Sequence, residues 1–341
     1  VKLTFENLSQ GTTPFLLLED AVPSELGHSA RLVVTGIPSR NRHAASYALT
    51  ARRRGRYHLG PLTIYVTDPF GLARTRVQSH GRSELVVYPE VEFLDASHLL
   101  SQGVGSGEST ARQLHRSAAD FYTMREYVTG DDLRRIHWPS VARTGQLMIR
   151  QDESTRRSTA TVFLDNRSDL FGQRGSEAFE RAVSVAASLG VAFVRSGFAV
   201  HFATSDGRPH AVTEDTFLEA MAGVGLSQTR GTATILKGLR AGGLADTTLA
   251  FVTAPPLGAD LPSFIRMGTS FGRKLAVFIY PVSPTGLTPS GRSEIETRAS
   301  TAKASLMRAG WEVYVLAPDG RLGEIWQRTN KTLRAGASSS A

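Results

Sequence analysis

Carboxylates, guanidiniums and an imidazole crowd together between Arg125 and Arg143. Gly130-Asp131-Asp132, followed by His137, brings two hard oxygen donors and a base into one short stretch. As chemistry, this is a divalent-metal pair with His137 as general base, the set of a metal-dependent hydrolase of phosphate esters. Adjacent aspartates diverge, however, and the neighbouring Arg134 and Arg135 repel a cation. The structural reading makes Gly130-Asp131-Asp132 a turn whose second Asp caps a short helix from Leu133. Arg134 and Arg135 then form bidentate pairs with Glu126 and Asp131, and His137 is a packed histidine beside Trp138. A second cluster, Arg52-Arg53-Arg54-Gly55-Arg56, is either a grip for phosphates or a hairpin face whose arginines pair with local carboxylates.

Other chemistry is excluded more firmly. The 341 residues include no cysteine, so there is no disulfide, thiolate nucleophile or Cys-ligated metal. The nine histidines are scattered without ligand spacing. There is no Walker loop, no Gly-x-Gly-x-x-Gly after a strand, no His-Glu-x-x-His and no Gly-x-Ser-x-Gly. The formal charge of +8 invites a polyanion, but only five of the 39 basic residues are Lys, a skew that a GC-rich genome produces by itself. No nucleic-acid partner is expected, the alternative being a nucleic-acid or anionic-surface binder through Arg52 to Arg56.

These residues need elements to hold them. A length of 341 residues suggests about two domains. Residues 1–95 show short apolar or alternating runs broken by turns, with strands expected at Lys2 to Asn7, Phe15 to Asp20, Arg31 to Thr35, Ser46 to Arg52, Leu62 to Thr67, Leu72 to Ser79 and Leu85 to Tyr88. That pattern predicts an immunoglobulin-like β-sandwich. Residues 96–118, containing the Gly- and Ser-rich Gln102 to Thr110, read as a flexible linker. From 159 to 330, apolar strands alternate with amphipathic helices, as a doubly wound α/β domain requires. Strands are expected at Thr161 to Asp165, Ala199 to Thr204, Thr248 to Thr253, Lys274 to Tyr280 and Trp311 to Ala317. A helix from Ser176 to Arg195 carries Phe179, Val183, Ala186, Leu189 and Phe193 on one stripe. Residues 331–341 are expected to form a disordered tail. The longest apolar runs fall far short of the roughly 20 residues that cross a bilayer. The chain opens at Val1 without Met, and an upstream segment is expected.

The run Arg125-Glu126-Tyr127, Gly130-Asp131-Asp132, Arg134-Arg135-Ile136-His137-Trp138, Ser140, Ala142-Arg143 and Leu147 to Arg150 resembles the signature of the domain of unknown function 58 family. The earlier Arg-Arg-Gly-Arg-Tyr and Asp-Pro-Phe-Gly-Leu pieces are similar to the β-rich part that precedes this signature in many members. The resemblance implies two N-terminal transmembrane helices upstream, then a β-sandwich and a von Willebrand factor A-like domain at the cytoplasmic face of the cell membrane. Residues 119–158 would be the signature segment packed on that last domain. The implied partners are a MoxR-type AAA+ ATPase and a transglutaminase-like membrane protein, and the implied role is chaperoning or complex assembly.

A metal-binding von Willebrand A-like domain places Asp-x-Ser-x-Ser at the end of its first strand, with a Thr and an Asp from two later loops, around Mg²⁺. This chain reads Asp165-Asn166-Arg167-Ser168-Asp169, so only the leading Asp matches. Thr232 could supply the Thr loop, whereas Ala254-Pro255 stands where the later Asp is expected. Arg167 would itself compensate the charge of Asp165, leaving Asp165, Asp169 and Thr232 as a degenerate metal-ion-dependent adhesion site. The expectation is a non-enzymatic interaction module without cofactor, its surface formed by Asp165, Arg167, Ser168, Asp169 and Thr232.

Overall fold

The computed structural model describes residues 1–68, 70, 72–94, 122–127, 136–152, 158–172, 176–229, 236, 239, 247–256, 258–281, 288–317 and 319–327. The expected linker, the whole Gly130 to Arg135 turn and the C-terminal tail lie outside them.

The N-terminal part is built from antiparallel strands: β1 (Lys2–Glu6), β2 (Leu16–Asp20), β3 (Ala30–Val34), β4 (Arg42–Ser46), β5 (Gly55–Leu59), β6 (Leu62–Thr67), β7 (Arg74–Gln78) and β8 (Ser83–Val87). They form a four-stranded sheet in the order β3-β2-β6-β7 and two ribbons, β1-β4 and β5-β8. Alternation gives the sheet one apolar face: Leu16 and Leu18, Leu32 and Val34, and Leu62 and Ile64 meet Phe5 and Ala45 of the β1-β4 ribbon. Asp20 ends this row, buried, because the Tyr47 hydroxyl donates to its Oδ2 at 2.5 Å. Burial, followed by that bond and the Asp20 charge, pushes the Tyr47 pKa up.

Two expectations shift. The strand predicted at Ser46 to Arg52 lies at Arg42–Ser46, and Gly55–Leu59, within the Arg-rich punctuation, is itself a strand. The β4 residues RHAAS are nearly all exposed. Their placement follows register with β1, Glu6 opposite Arg42 and Lys2 opposite Ser46, and leaves no apolar alternation to read.

The C-terminal part is a six-stranded sheet made of β11 (Thr159–Leu164), β12 (Ala199–Thr204), β13 (His210–Val212), β14 (Thr248–Thr253), β15 (Arg273–Ile279) and β16 (Glu312–Leu316). Its order is β13-β12-β11-β14-β15-β16, parallel except for the β13 edge. Every residue of β14 is buried, which explains its continuous apolar run. A short α1 (Trp138–Thr144) precedes the sheet, between the strands of an antiparallel ribbon, β9 (Tyr122–Glu126) with β10 (Met148–Asp152). Within the sheet region follow α2 (Ser168–Phe171), α3 (Glu177–Arg195), α4 (Glu214–Gly223), α5 (Leu261–Gly268) and α6 (Pro289–Arg308). On one face, Val162, Leu164, Val252 and Val277 share a core with Phe179, Val183 and Ala186 of α3. On the other, Phe163, Phe251 and Phe278 meet Phe264 of α5 and Leu306 of α6. This is the layered α/β arrangement the alternation called for.

Helix α3 is buried far beyond one stripe, from Ala182 to Phe193. The reason is the segment after β8. Ser184 Oγ donates to the Glu90 carbonyl at 2.8 Å, and Ser188 Oγ accepts from Glu92 N–H at 2.8 Å. The Glu92 carboxylate pairs with Arg181 and accepts the backbone N–H groups of Leu322 and Gly323, at the start of helical residues 322–327. Residues 90–94 thus lie on the outer side of α3, and Leu94 joins its core. On another side, Gly190 admits the Phe217 ring of α4: a Cβ there would sit 2.1 Å from Phe217. Gly190→Ala is therefore expected to destabilise the chain by about 1–3 kcal/mol through overpacking, as read by urea unfolding, with Phe217→Leu partly restoring the loss.

Candidate functional site

In open α/β sheets the crevice beyond the strand carboxyl ends, where strand order reverses, is the place for a ligand. Here β11 lies between β12 and β14, so the residue after β11 occupies that position. That residue is Asp165. Its N–H donates to the Val252 carbonyl at 2.8 Å, extending the ladder by one rung, and the side chain is completely buried.

Four donors converge on its carboxylate. Arg167 clamps it in bidentate fashion, Nε to Oδ1 and Nη2 to Oδ2, both at 2.9 Å. Ser205 Oγ donates to Oδ1 at 2.7 Å and Thr253 Oγ1 to Oδ2 at 3.1 Å. Arg167 Nη2 also reaches Asp260 Oδ2 at 3.0 Å. Arg167 is only 1% exposed, so this is a buried carboxylate–guanidinium–carboxylate triad. Burial acts to lower the Arg167 pKa, but the hydrogen bonds and charges of Asp165 and Asp260 outweigh it and hold the pKa above the usual arginine value.

The neighbouring backbone is tied down by similar means. Asn166 Oδ1 accepts from Ser205 N–H at 3.0 Å, and its Nδ2 donates to the Gly225 carbonyl at 2.7 Å and to Asp206 Oδ1 at 3.2 Å. Ser227 N–H donates to the Asn166 carbonyl, and Ser168 N–H to the Ser227 carbonyl. Three strand ends are thus laced together around Asp165.

These donors fit a guanidinium rather than a divalent cation. The lone-pair positions of Asp165 are filled by N–H and O–H donors, and Arg167 occupies the space between the two carboxylates. Asp169 stands apart, exposed in the first turn of α2. Thr232 lies outside the described residues. Among those residues, no group of three or more His, Asp or Glu is arranged to hold a metal.

The expected surface therefore divides: Asp165 and Arg167 form the interior prop, while Ser168, Asp169 and Asp206 form the accessible rim. Sequence reasoning missed Asp260, Ser205 and Thr253. Asp260 supplies the carboxylate sought at Ala254-Pro255, but from the N-cap of α5. Ser205 and Thr253 had a readable signal, being hydroxyl residues at the ends of two neighbouring strands.

In the signature segment, Arg125 and Glu126 end β9, opposite Ile149 and Met148. Tyr127 N–H donates to the Leu147 carbonyl, and Arg143 lies in the last turn of α1. His137 caps the start of α1; its Nδ1 is 2.9 Å from Ser140 Oγ and its N–H donates to the Met148 carbonyl. Gly130, Asp131, Asp132, Arg134 and Arg135 lie outside the described residues. In the Arg52 to Arg56 cluster, Arg52 and Arg53 are exposed and Arg56 pairs with Glu84 and, more loosely, Glu219. Arg54 points inward, onto α3 and α4.

Residues 123–213 match the family described as Protein of unknown function DUF58. The matched stretch runs from β9 through β13 and so contains Asp165, Arg167 and Ser205, while Thr253 and Asp260 follow it. The Bacillus subtilis (strain 168) protein named Uncharacterized protein YeaD is 28% identical over 192 residues, covering 54% of this chain and 46% of that protein. The chain thus spans about half the length of this curated relative. No solved structure matches it. Among the described residues, no helix is long and apolar enough to cross a membrane.

Proposed function

We propose that this chain is a non-enzymatic protein-interaction module, an immunoglobulin-like sandwich joined to a von Willebrand factor A-like domain. It acts as an adaptor or assembly factor for a MoxR-type AAA+ ATPase at the cytoplasmic face of the cell membrane, tethered there by helices upstream of Val1. A transglutaminase-like membrane protein is a further partner. The observation that carries this reading is the triad Asp165–Arg167–Asp260: the buried Asp165 carboxylate and the Arg167 guanidinium are spent on one another, and the cluster stiffens loops instead of presenting a base or nucleophile at Asp165. Arg167 takes the place of a metal, so recognition by the rim needs no cation.

The test is capture of a genomically neighbouring MoxR-type ATPase by the purified chain, with and without chelator. Capture should be unchanged by chelator and weakened by Asp169→Arg on the exposed rim, with the melting temperature unaltered. Capture that chelator abolishes, or no capture by the unaltered chain, would reject this reading.

A further inference from the structure

One end of the four-stranded sheet carries apolar side chains that the fold does not use. Phe70 is 83% exposed and Leu72 88%, both in the turn between β6 and β7. Phe15 is 48% exposed and lies at the same end, its carbonyl accepting from Thr67 N–H. The turn is held in shape by Asp68: its Oδ2 accepts from Phe70 N–H at 3.2 Å and its Oδ1 from Ala73 N–H at 2.7 Å, while its own N–H donates to the Ala73 carbonyl. That carboxylate is thereby spent on backbone donors. Behind the tip, Arg74 and Arg76 lie on the same face of β7, both exposed. Arg74 stacks over the Tyr65 ring at 3.9 Å, and among the described residues neither arginine has a carboxylate partner.

The spacing is informative. A strand rises about 3.4 Å per residue, so Arg74 and Arg76 stand roughly 7 and 14 Å behind Leu72 along β7. A tip that sinks about 5–10 Å past the headgroup boundary of a bilayer would set both guanidiniums among lipid phosphates. A protruding apolar tip with a cationic collar suits a fluid anionic surface better than a shaped protein pocket, which would demand concavity from its partner.

We infer that the β6–β7 hairpin is a membrane-docking tip: Phe70 and Leu72 insert into an anionic bilayer, and Arg74 and Arg76 bind its phosphate groups. This site is separate from the Arg52 to Arg56 cluster and does not depend on the adaptor reading. The experiment is co-sedimentation of the 341-residue chain with vesicles of phosphatidylcholine, either alone or with added phosphatidylglycerol. Binding should require phosphatidylglycerol and weaken as salt is raised. Phe70→Ser with Leu72→Ser should weaken binding about tenfold or more per side chain, and Arg74→Gln and Arg76→Gln about fivefold each. These residues are exposed, so melting temperatures should not move. Phe70→Trp should shift its emission to the blue when anionic vesicles are added. No binding by the unaltered chain, equal binding by the double serine variant, or an unshifted tryptophan would overturn the inference; an acidic protein partner would then be the occupant to seek.

Discussion

Replacing Arg167 with methionine is expected to remove about 3–5 kcal/mol of stability, because it leaves a fully buried carboxylate without its counter-charge. Asp165 would keep only the Ser205 and Thr253 hydroxyls, which supply hydrogen bonds but no positive charge. Asp260 loses less, since its side chain retains 18% exposure. Urea unfolding should show a lower midpoint with unchanged slope. The double variant Asp165→Asn with Arg167→Met removes both charges together and should recover a large part of the loss. Arg167→Lys should not, since a single ammonium cannot reproduce the two parallel bonds to Asp165 and the third to Asp260. The pH dependence has a definite sign. A base whose pKa is higher folded than unfolded contributes its full stability below the unfolded value and loses it only as pH rises through the folded one. For Arg167 that window lies above the ordinary arginine range, so its contribution should be flat across neutral pH. A loss below about 1 kcal/mol in Arg167→Met would mean that Asp165 does not rely on this clamp.

Arg54→Met is expected to cost about 2–4 kcal/mol and to loosen the attachment of the β-rich part to the α/β part. Arg54 donates to the Met221 and Val224 carbonyls at the C-terminal end of α4, pairs with Glu180 in the first turn of α3, and lies over the Phe179 ring. Its side chain is only 6% exposed. Methionine would fill part of the volume but leave two helix-terminal carbonyls without donors. Amide exchange at the α4 C-terminus should accelerate, and Glu180→Gln should cost less, because both carbonyl bonds survive it. Burial pulls the Arg54 pKa below the usual value, while Glu180 pushes it back up. For a base that sign means the fold carries a desolvation cost wherever both states are protonated, relieved only as pH rises through the folded value. No acid-side transition should therefore be traceable to Arg54. Unchanged stability and exchange in Arg54→Met would show that this contact does not hold the two parts together.

The two arginines show where sequence reading succeeds and where it stops. Asp165 and Arg167 are two residues apart, at the end of an apolar run that can only be a buried strand, so their mutual compensation was legible. The partners that complete the site were not. Ser205 and Thr253 reach Asp165 because Leu164 pairs in parallel register with Thr204 on one side and Val252 on the other, and Asp260 arrives through the turn into α5. No local pattern encodes that convergence. Arg54 was read as one charge in a solvated hairpin, yet it reaches Glu180 across 126 residues, and nothing in Arg-Arg-Arg-Gly-Arg marks which guanidinium turns inward. The same holds for Ser184 and Ser188. They interrupt an apolar helix for no visible reason until residues 90–92 are seen lying against it.

By itself, the sequence determined the class of each part and the absence of thiol chemistry. Apolar periodicity and turn residues are local properties, and a missing side chain type is missing in any fold. It also carried the signature by which residues 123–213 resemble the family described as Protein of unknown function DUF58. Only the tertiary structure decided that Ser205, Thr253 and Asp260 converge on the Asp165–Arg167 pair beyond β11, that Arg54 is a fastening between parts, and that Phe70 and Leu72 are left in solvent. Each of these depends on which distant segments share a dielectric and a set of lone pairs, a matter of register and packing rather than of neighbours along the chain.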